Sequence, residues 1–98
     1  MFRHVVMFKW NDDVTDEQID AASAGLSALV EVIPEIKDYK HGRDVGVGDQ
    51  NFDYVVVGDF DSVADYEIYR DHPAHQEVIA SLFAGRLADR SAVQYETD

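Results

Sequence analysis

The chain has no cysteine among its 98 residues, which excludes disulfide bonds and thiolate metal sites. Cations are also scarce: eight Lys and Arg residues stand against 20 Asp and Glu residues, so the formal charge is −12. This charge repels phosphates, and we therefore expect neither nucleic acid nor an anionic membrane surface as a partner. No apolar run approaches the roughly 20 residues that a membrane-spanning helix needs.

Length and composition predict one domain over residues 1–98. Hydrophobic residues make up 46% of the chain, which is ordinary for a globular protein. A chain this short buries a modest fraction of its surface, so an oligomer would add stability. No basic region followed by an apolar run precedes the strand-like alternation that starts at Phe2. We therefore expect no signal peptide and a cytoplasmic location.

Strict alternation predicts a first strand from Phe2 to Trp10. One face of this strand carries His4, Val6 and Phe8. The other face is apolar as well, at Val5 and Met7. A sheet that is covered on one side only would show polar residues on the other, so both faces of this strand are expected to be covered.

The remaining pattern gives the order of the other elements. They are a helix from Thr15 to about Val32, strands over 36–44 and 54–60, a short helix that is capped by Asp61 or Ser62 and reaches about Asp71, a helix from Pro73 to between 85 and 87, and a strand over 91–96. This order predicts an α+β, ferredoxin-like βαββ(αα)β plait, with helices on one face of a four-stranded antiparallel sheet. The apolar second face then predicts a two-fold homodimer through paired sheet faces.

The segment Tyr69–His75 holds two of the four histidines and one of the two prolines. Pro73 cannot continue a helix but suits the first turn of a new one, so it predicts a junction between two helices. Tyr69 then lies in the last turn of one helix and His75 in the first turn of the next, where both can aim at the same space. His72, just before the proline, is interpreted as the N-cap of the second helix.

Four motifs give the chain a family resemblance. They are His4-Val5-Val6-Met7-Phe8-Lys9 in the first strand, Gly42-Arg43-Asp44 after the second, Asp59-Phe60-Asp61 at the end of the third, and Tyr69-x-x-His72-Pro73-x-His75. With these motifs the chain resembles the stress-responsive A/B barrel domain family, also called dimeric α/β barrel (Dabb) proteins, over nearly its whole length. The resemblance implies a ferredoxin-like subunit whose sheet pairs with that of a second copy.

The resemblance also implies site residues. A characterised plant cyclase of the family closes a linear polyketide thioester by an intramolecular aldol condensation, without metal or cofactor. Its catalytic tyrosine and histidine fall on Tyr69 and His75, and a pocket histidine in its first strand falls on His4. The bulky aromatic residues of that cyclase's pocket are replaced here by small ones, namely Ala21, Ala22 and Ala24 in the first helix and Val78 after the histidine pair.

The residue types at this site suit proton transfer. An imidazole with a pKa of about 6.5 can act as a general base, and a position in the first helical turn disfavours its protonated form, which makes His75 the expected base. Tyr69 can donate a hydrogen bond to a carbonyl that becomes an enolate. The predicted reaction is proton abstraction next to a carbonyl of a small hydrophobic compound, followed by ring closure or isomerisation. The expected lining residues of the pocket are His4, Val6, Phe8 and Val78.

Other interpretations stay open at this point. In one, His75 pairs with a buried backbone group, Tyr69 fills the core, and the protein is a non-catalytic stress-responsive or ligand-binding protein. In another, it is a cofactor-free monooxygenase, since such enzymes share the plait.

Three side chains outside the proposed pair carry further expectations. No metal is expected, because His72 and His75 are three residues apart but no carboxylate is placed by spacing to complete a ligand set. His41 lies on a polar strand and is expected in solvent. Trp10 is expected either at the mouth of the pocket or over the first helix.

Overall fold

The computed structural model describes residues 1–97, and its sheet has four antiparallel strands in the order β2-β3-β1-β4. The elements are β1 (Phe2–Trp10), α1 (Asp16–Leu29), β2 (Asp38–Arg43), β3 (Tyr54–Phe60), α2 (Val63–Asp71), α3 (Pro73–Val78), a π-helical turn (Ile79–Phe83) and β4 (Leu87–Glu96). This confirms the predicted α+β, ferredoxin-like plait. No helix within residues 1–97 is long and apolar enough to cross a membrane.

Short-range side-chain contacts set where the helices begin. The Thr15 hydroxyl accepts from the backbone N–H of Gln18, and the Gln18 side chain accepts from the backbone N–H of Thr15, which completes the predicted capping box of α1. The Ser62 hydroxyl caps α2 by accepting from the backbone N–H of Asp65. At the start of α3, His72 Nδ1 accepts from the backbone N–H of Ala74 at 3.0 Å, which confirms His72 as a cap.

Several boundaries differ from the prediction. The first helix ends at Leu29, short of Val32, and β2 begins at Asp38 instead of residue 36. The helical segment that begins at Pro73 ends at Phe83, short of the predicted 85 to 87, and the last strand begins at Leu87 instead of Ser91. Gly85 ends that helical segment, because its φ of +77° is a conformation that residues with side chains rarely adopt. β4 is an edge strand, exposed along most of its length, and its sequence therefore lacks a clear apolar alternation.

The sheet has an inner face, marked by His4, Val6 and Phe8, and an outer face, marked by Val5 and Met7. Inner-face side chains of β1 and β3 are buried against α1, α2 and the π-helical turn, and the core also includes Ile33 and Ile36. The outer face is apolar but only half-buried along β1 and β3, and Val93 beside it on β4 is 62% exposed. The strict burial alternation of β1 follows from this difference between the two faces.

Candidate active site

A cavity of about 340 Å³ lies between the inner face of the sheet and the helices that follow β3. Three parts of the chain meet there: β1, the junction of α2 with α3, and the π-helical turn. Of the predicted site residues, the cavity wall contains His4, Val6, Phe8, Tyr69 and His75. The exposed side chains of Arg70 and Arg90 also line it, so the cavity reaches the surface. Its size is at the small end of the range for small-molecule sites.

The helix junction brings Tyr69 and His75 together. His72 has an extended backbone (φ −62°, ψ 136°), so the chain turns sharply between α2 and α3. As a result the ring centroids of Tyr69 and His75 are 4.3 Å apart, and both rings face the cavity. A continuous helix separates residues six positions apart by more than one and a half turns, and could not make this contact.

One ring nitrogen of His75 is hydrogen-bonded to the backbone. Its Nδ1–H donates to the backbone carbonyl of Arg70 at 3.0 Å, which places the lone pair on Nε2. That carbonyl lies at the end of α2, where it has no helical partner. Burial lowers the pKa of His75, and this outweighs the opposing effects of the Arg70 carbonyl and of Asp71. His75 is therefore a neutral imidazole at pH 7, with Nε2 able to accept a proton.

Tyr69 is buried, and its hydroxyl lies 2.7 Å from the hydroxyl of Tyr39 on β2. Burial raises the pKa of Tyr69 to about 12, so the phenol keeps its proton at neutral pH. Burial also raises the pKa of Tyr39, next to the Tyr69 hydroxyl. When Tyr39 donates to the Tyr69 oxygen, the proton of Tyr69 is free to point into the cavity.

His4 contributes a second neutral imidazole to the cavity. The Gln94 side-chain amide lies 3.1 Å from His4 Nδ1, and when it donates there the ring proton is on Nε2. The ring packs on Tyr66 with a centroid distance of 4.9 Å. Burial, aided by the charges of Arg90 and His75, lowers the pKa of His4 to about 4. His4 is therefore a hydrogen-bond donor to the cavity and not a cation.

One predicted lining residue, Val78, lies elsewhere, and so does Trp10, for which the mouth of the pocket was one of two expected places. Val78 does not line the cavity: it packs toward α1, where its Cγ2 would be 3.6 Å from a Cβ placed on Gly25. The bend between α2 and α3 turns Val78 to this side, which spacing alone did not reveal. Trp10 is also absent from the wall and stacks on Phe83 at 5.6 Å.

The prediction that His41 is in solvent was wrong. Its Nδ1 lies 2.7 Å from the Tyr54 hydroxyl and its Nε2 lies 2.9 Å from the Ser27 hydroxyl. His41 thus joins β2 to β3 and to α1, and burial lowers its pKa. Both faces of β2 carry polar residues, so the sequence did not show which face turns inward. For the same reason, the sequence did not indicate that Tyr39 faces the cavity.

Other lining residues were also not predicted from the sequence, and among them are Tyr66 and Arg90. A signal for Tyr66 exists, because it lies three residues before Tyr69 on the same side of α2. Within residues 1–97, no group of three or more His, Asp or Glu side chains is arranged to hold a metal ion. The assembled groups are a neutral base and neutral donors in an apolar cavity, a combination that can move a proton next to a carbonyl.

Two curated proteins are similar to this chain. The stress-response A/B barrel domain-containing protein HS1 of Arabidopsis thaliana is 29% identical over 96 residues, which cover 96% of this chain and 87% of that protein. Olivetolic acid cyclase of Cannabis sativa is 31% identical over 75 residues, which cover 74% of each.

Solved structures extend the likeness. A dimeric ferredoxin-like protein of unknown function from Thermobifida fusca is 42% identical, with a TM-score of 0.91 over 98% of this chain and 90% of that one. The hydroxynitrile lyase of Passiflora edulis is 28% identical, with a TM-score of 0.86 over 99% of this chain and 93% of that one. An antibiotic biosynthesis monooxygenase is 12% identical, with a TM-score of 0.78 over 100% of this chain and 99% of that one, and shows the fold alone.

The family model for the Stress responsive A/B Barrel Domain (Dabb) matches residues 2–97, nearly the whole chain. The match includes the first strand, the helix junction at Pro73 and the last strand. The chain therefore belongs to the stress-responsive A/B barrel domain family.

Proposed function

We propose that this protein is a cofactor-independent enzyme that removes a proton next to the carbonyl of a small hydrophobic compound. His75 is the base and Tyr69 is the hydrogen-bond donor. The observation that carries the proposal is that both side chains, together with His4, line one apolar cavity, with the lone pair of His75 on Nε2. Solid packing at this position would have favoured a purely structural role.

The proposed reaction begins when the substrate carbon loses a proton to Nε2 of His75. The negative charge develops on the carbonyl oxygen, which accepts a hydrogen bond from Tyr69, and Tyr39 in turn donates to Tyr69. The enolate carbon then attacks a second carbonyl of the same molecule, as in an aldol ring closure, or takes a proton back at another carbon, as in an isomerisation. The imidazolium of His75 returns its proton to the product, so no external acid is consumed.

Two relatives support carbonyl chemistry in this family. One is a cyclase and the other is a hydroxynitrile lyase. A linear polyketide-like compound is the substrate that the likeness to the cyclase favours. The small cavity fits a compact molecule or the reacting end of a longer one.

A second candidate function is ligand binding without turnover, as in a stress-responsive protein that has no enzymatic role. The contact between the Tyr69 and Tyr39 hydroxyls favours it, because this pair is satisfied before any ligand enters. A third candidate, a cofactor-free monooxygenase, rests on the shared fold alone.

The proposed assembly is a homodimer through the outer faces of two sheets. Its support is the apolar outer face, with Val5, Met7 and Val57 next to the exposed Val93. Solved relatives of this fold are dimeric. A monomeric mass at micromolar concentration would contradict this assembly. The cytoplasmic location stays a prediction.

The test of the enzyme uses carbonyl probes of two kinds. Deuterium uptake from D₂O into 2-octanone, followed by NMR, reports proton removal, and a linear tetraketide thioester reports ring closure. We expect His75→Ala to slow both reactions about 100-fold or more, the usual range for loss of a general base. His72→Asn keeps a cap acceptor outside the cavity and is the matched control, expected to stay within about threefold of wild type.

Two results would count against the enzyme. Wild-type rates in His75→Ala would remove the proposed base. Binding of the probes to wild type without deuterium uptake or ring closure would support the ligand-binding alternative instead. Solution mass measured on each variant separates loss of chemistry from loss of the dimer.

A further inference from the structure

One arginine on the cavity wall has no partner for its charge among residues 1–97. Four of the five arginines use their side chains in hydrogen bonds to other described residues, and these are Arg3, Arg43, Arg70 and Arg86. Arg90 makes no side-chain hydrogen bond, ion pair or ring contact of this kind within residues 1–97. Of those four, Arg3, Arg43 and Arg70 bond to carboxylates, and Arg86 bonds to the backbone carbonyl of Leu82.

The backbone explains why nearby acids do not reach Arg90. Arg90 is opposite Phe8 in the register of β1 and β4, so it is on the inner face of the sheet, where it lines the cavity. Asp89, the preceding residue, is opposite Lys9 on the outer face, and its carboxylate accepts from the backbone N–H of Arg90 at 2.8 Å. Alternation along the strand thus turns the adjacent acid away from the cavity.

The other charged group at the cavity is already neutralised. Arg70 is bonded through Nε and Nη2 to Asp71 at 2.9 and 3.0 Å and lies 3.7 Å from Glu67. His4 and His75 are neutral at pH 7, because burial lowers the pKa of each. Arg90 is therefore the one cation facing this cavity whose charge is not balanced within residues 1–97.

We infer that Arg90 binds an anionic end group of the cavity's ligand, so that the substrate class is a hydrophobic carbonyl compound bearing a carboxylate or phosphate. A guanidinium binds either group through paired hydrogen bonds. The apolar wall between Arg90 and the His75–Tyr69 pair takes the body of the molecule, and the exposed position of Arg90 keeps its charged end at the surface. The inference rests on the proposed function in taking this cavity as the substrate site.

The test compares three probes of equal chain length: octanoate, its neutral counterpart octanamide, and octyl phosphate. Dissociation constants are measured by calorimetry for wild type, Arg90→Gln, Arg90→Lys and Lys37→Gln. We expect wild type to bind at least one anion about tenfold or more tightly than the amide, in line with a charge-assisted hydrogen bond. The tighter anion identifies the end group.

The variants decide the role of Arg90. Arg90→Gln should reduce the preference for the anion to within about twofold, and Arg90→Lys should keep part of it, since Lys retains the charge but not the paired geometry. Lys37, which is paired with Asp61 away from the cavity, is the matched control and should leave the preference unchanged. Equal binding of amide and anions by wild type, no binding of any probe, or a full preference in Arg90→Gln would overturn the inference.

Binding to His75→Ala separates this inference from the proposed function. If the variant loses turnover but keeps the preference for the anion, the enzyme proposal and the anionic ligand class both stand. If wild type turns over no carbonyl compound and the Arg90-dependent preference is present, the enzyme proposal fails and the anionic ligand class stands. If turnover depends on His75 and the preference is absent, the enzyme stands and Arg90 has no part in binding.

Discussion

His75 and His41 are both partly buried imidazoles with lowered pKa values, yet their surroundings differ in one respect. His75 has Nδ1 bonded to a backbone carbonyl and Nε2 next to a cavity. His41 has both nitrogens within hydrogen-bond distance of hydroxyls, those of Tyr54 and Ser27, and does not line the cavity that His75 lines. Burial and a shifted pKa are therefore common to both histidines. What sets His75 apart, and what the proposed function relies on, is a ring nitrogen that is free to face a cavity.

The sharpest test of this comparison removes one tyrosine hydroxyl from beside each histidine. Tyr69→Phe deletes the proposed donor in the cavity, and we expect kcat to fall about 100-fold, as for loss of one oxyanion donor. Tyr54→Phe deletes a tyrosine hydroxyl beside His41 and should leave kcat within about threefold of wild type. Steady-state kinetics on the ring-closing probe measures both. A similar loss of kcat in the two variants would erase the distinction.

The free energy of unfolding should depend more on His41 than on His75. His41→Ala leaves the Tyr54 and Ser27 hydroxyls without their ring partner, and we expect the free energy of unfolding to drop by about 2 kcal/mol. His75→Ala frees a carbonyl that Gln76 also bonds, at 2.7 Å, and removes a ring contact with Tyr69 beside an existing cavity, so a smaller loss of about 1 kcal/mol is expected. Urea unfolding of the two variants gives the comparison. A larger loss for His75→Ala would mean that His75 is the more structural of the two.

The pH dependence of activity should follow His75 alone. Its pKa is below 6.5, so the base form dominates at neutral pH, and kcat/KM should be flat there and decline only on the acid side of 6.5. Tyr69, with a pKa of about 12, adds no alkaline decline up to about pH 10. A decline in kcat/KM that starts above pH 7 would contradict the lowered pKa of His75.

The same acidification should also destabilise the fold. His4, His41 and His75 all have lower pKa values in the folded state than in the unfolded chain, so the unfolded chain binds more protons below pH 6.5. The stabilisation that comes from these neutral histidines is therefore fully present above pH 6.5 and is lost as the pH falls toward about 4, where His4 titrates. Histidine NMR titrations, with His4 as the last to protonate, check the order. A His4 resonance that titrates near 6.5 would refute it.

The smallest effect is expected at Ser27. Ser27→Ala removes one hydrogen bond to His41 Nε2 from an exposed position on α1, and about 0.5–1 kcal/mol of unfolding free energy should be lost. Thermal unfolding would show a drop of a few degrees in a chain of this size, on the order of 4 °C for 1 kcal/mol. Ser81→Ala, which removes an exposed helical hydroxyl that bonds Glu77, is the control. A drop as large in the control would show that Ser27 has no special part.

The sequence predicted the cavity's centre better than its edges. Pro73 and the alternation of β1 each follow from local backbone chemistry, and together they placed Tyr69, His75 and His4 around one space. Tyr39 and Arg90 lie on edge strands, where both faces are polar or exposed and alternation carries little information. Val78 was misplaced because the direction of a side chain after a helix break depends on the angle of the break, which is a tertiary property.

The π-helical turn after α3 has a consequence for how this cavity can change. The Ala84 N–H donates to the carbonyl of Ile79, five residues back, at 2.9 Å. This turn therefore contains one residue more than an α-helical turn. Ile79, Phe83 and Ala84 all line the cavity, whereas in an α-helix the fifth residue on would point away from the first. A one-residue deletion between Ile79 and Ala84 would return the segment to α-helical spacing, with Ala84 four residues after Ile79 and so still on the cavity side, but would shorten this part of the wall by one residue. The number of residues in this turn therefore affects the shape of the cavity without changing the residues at the helix junction.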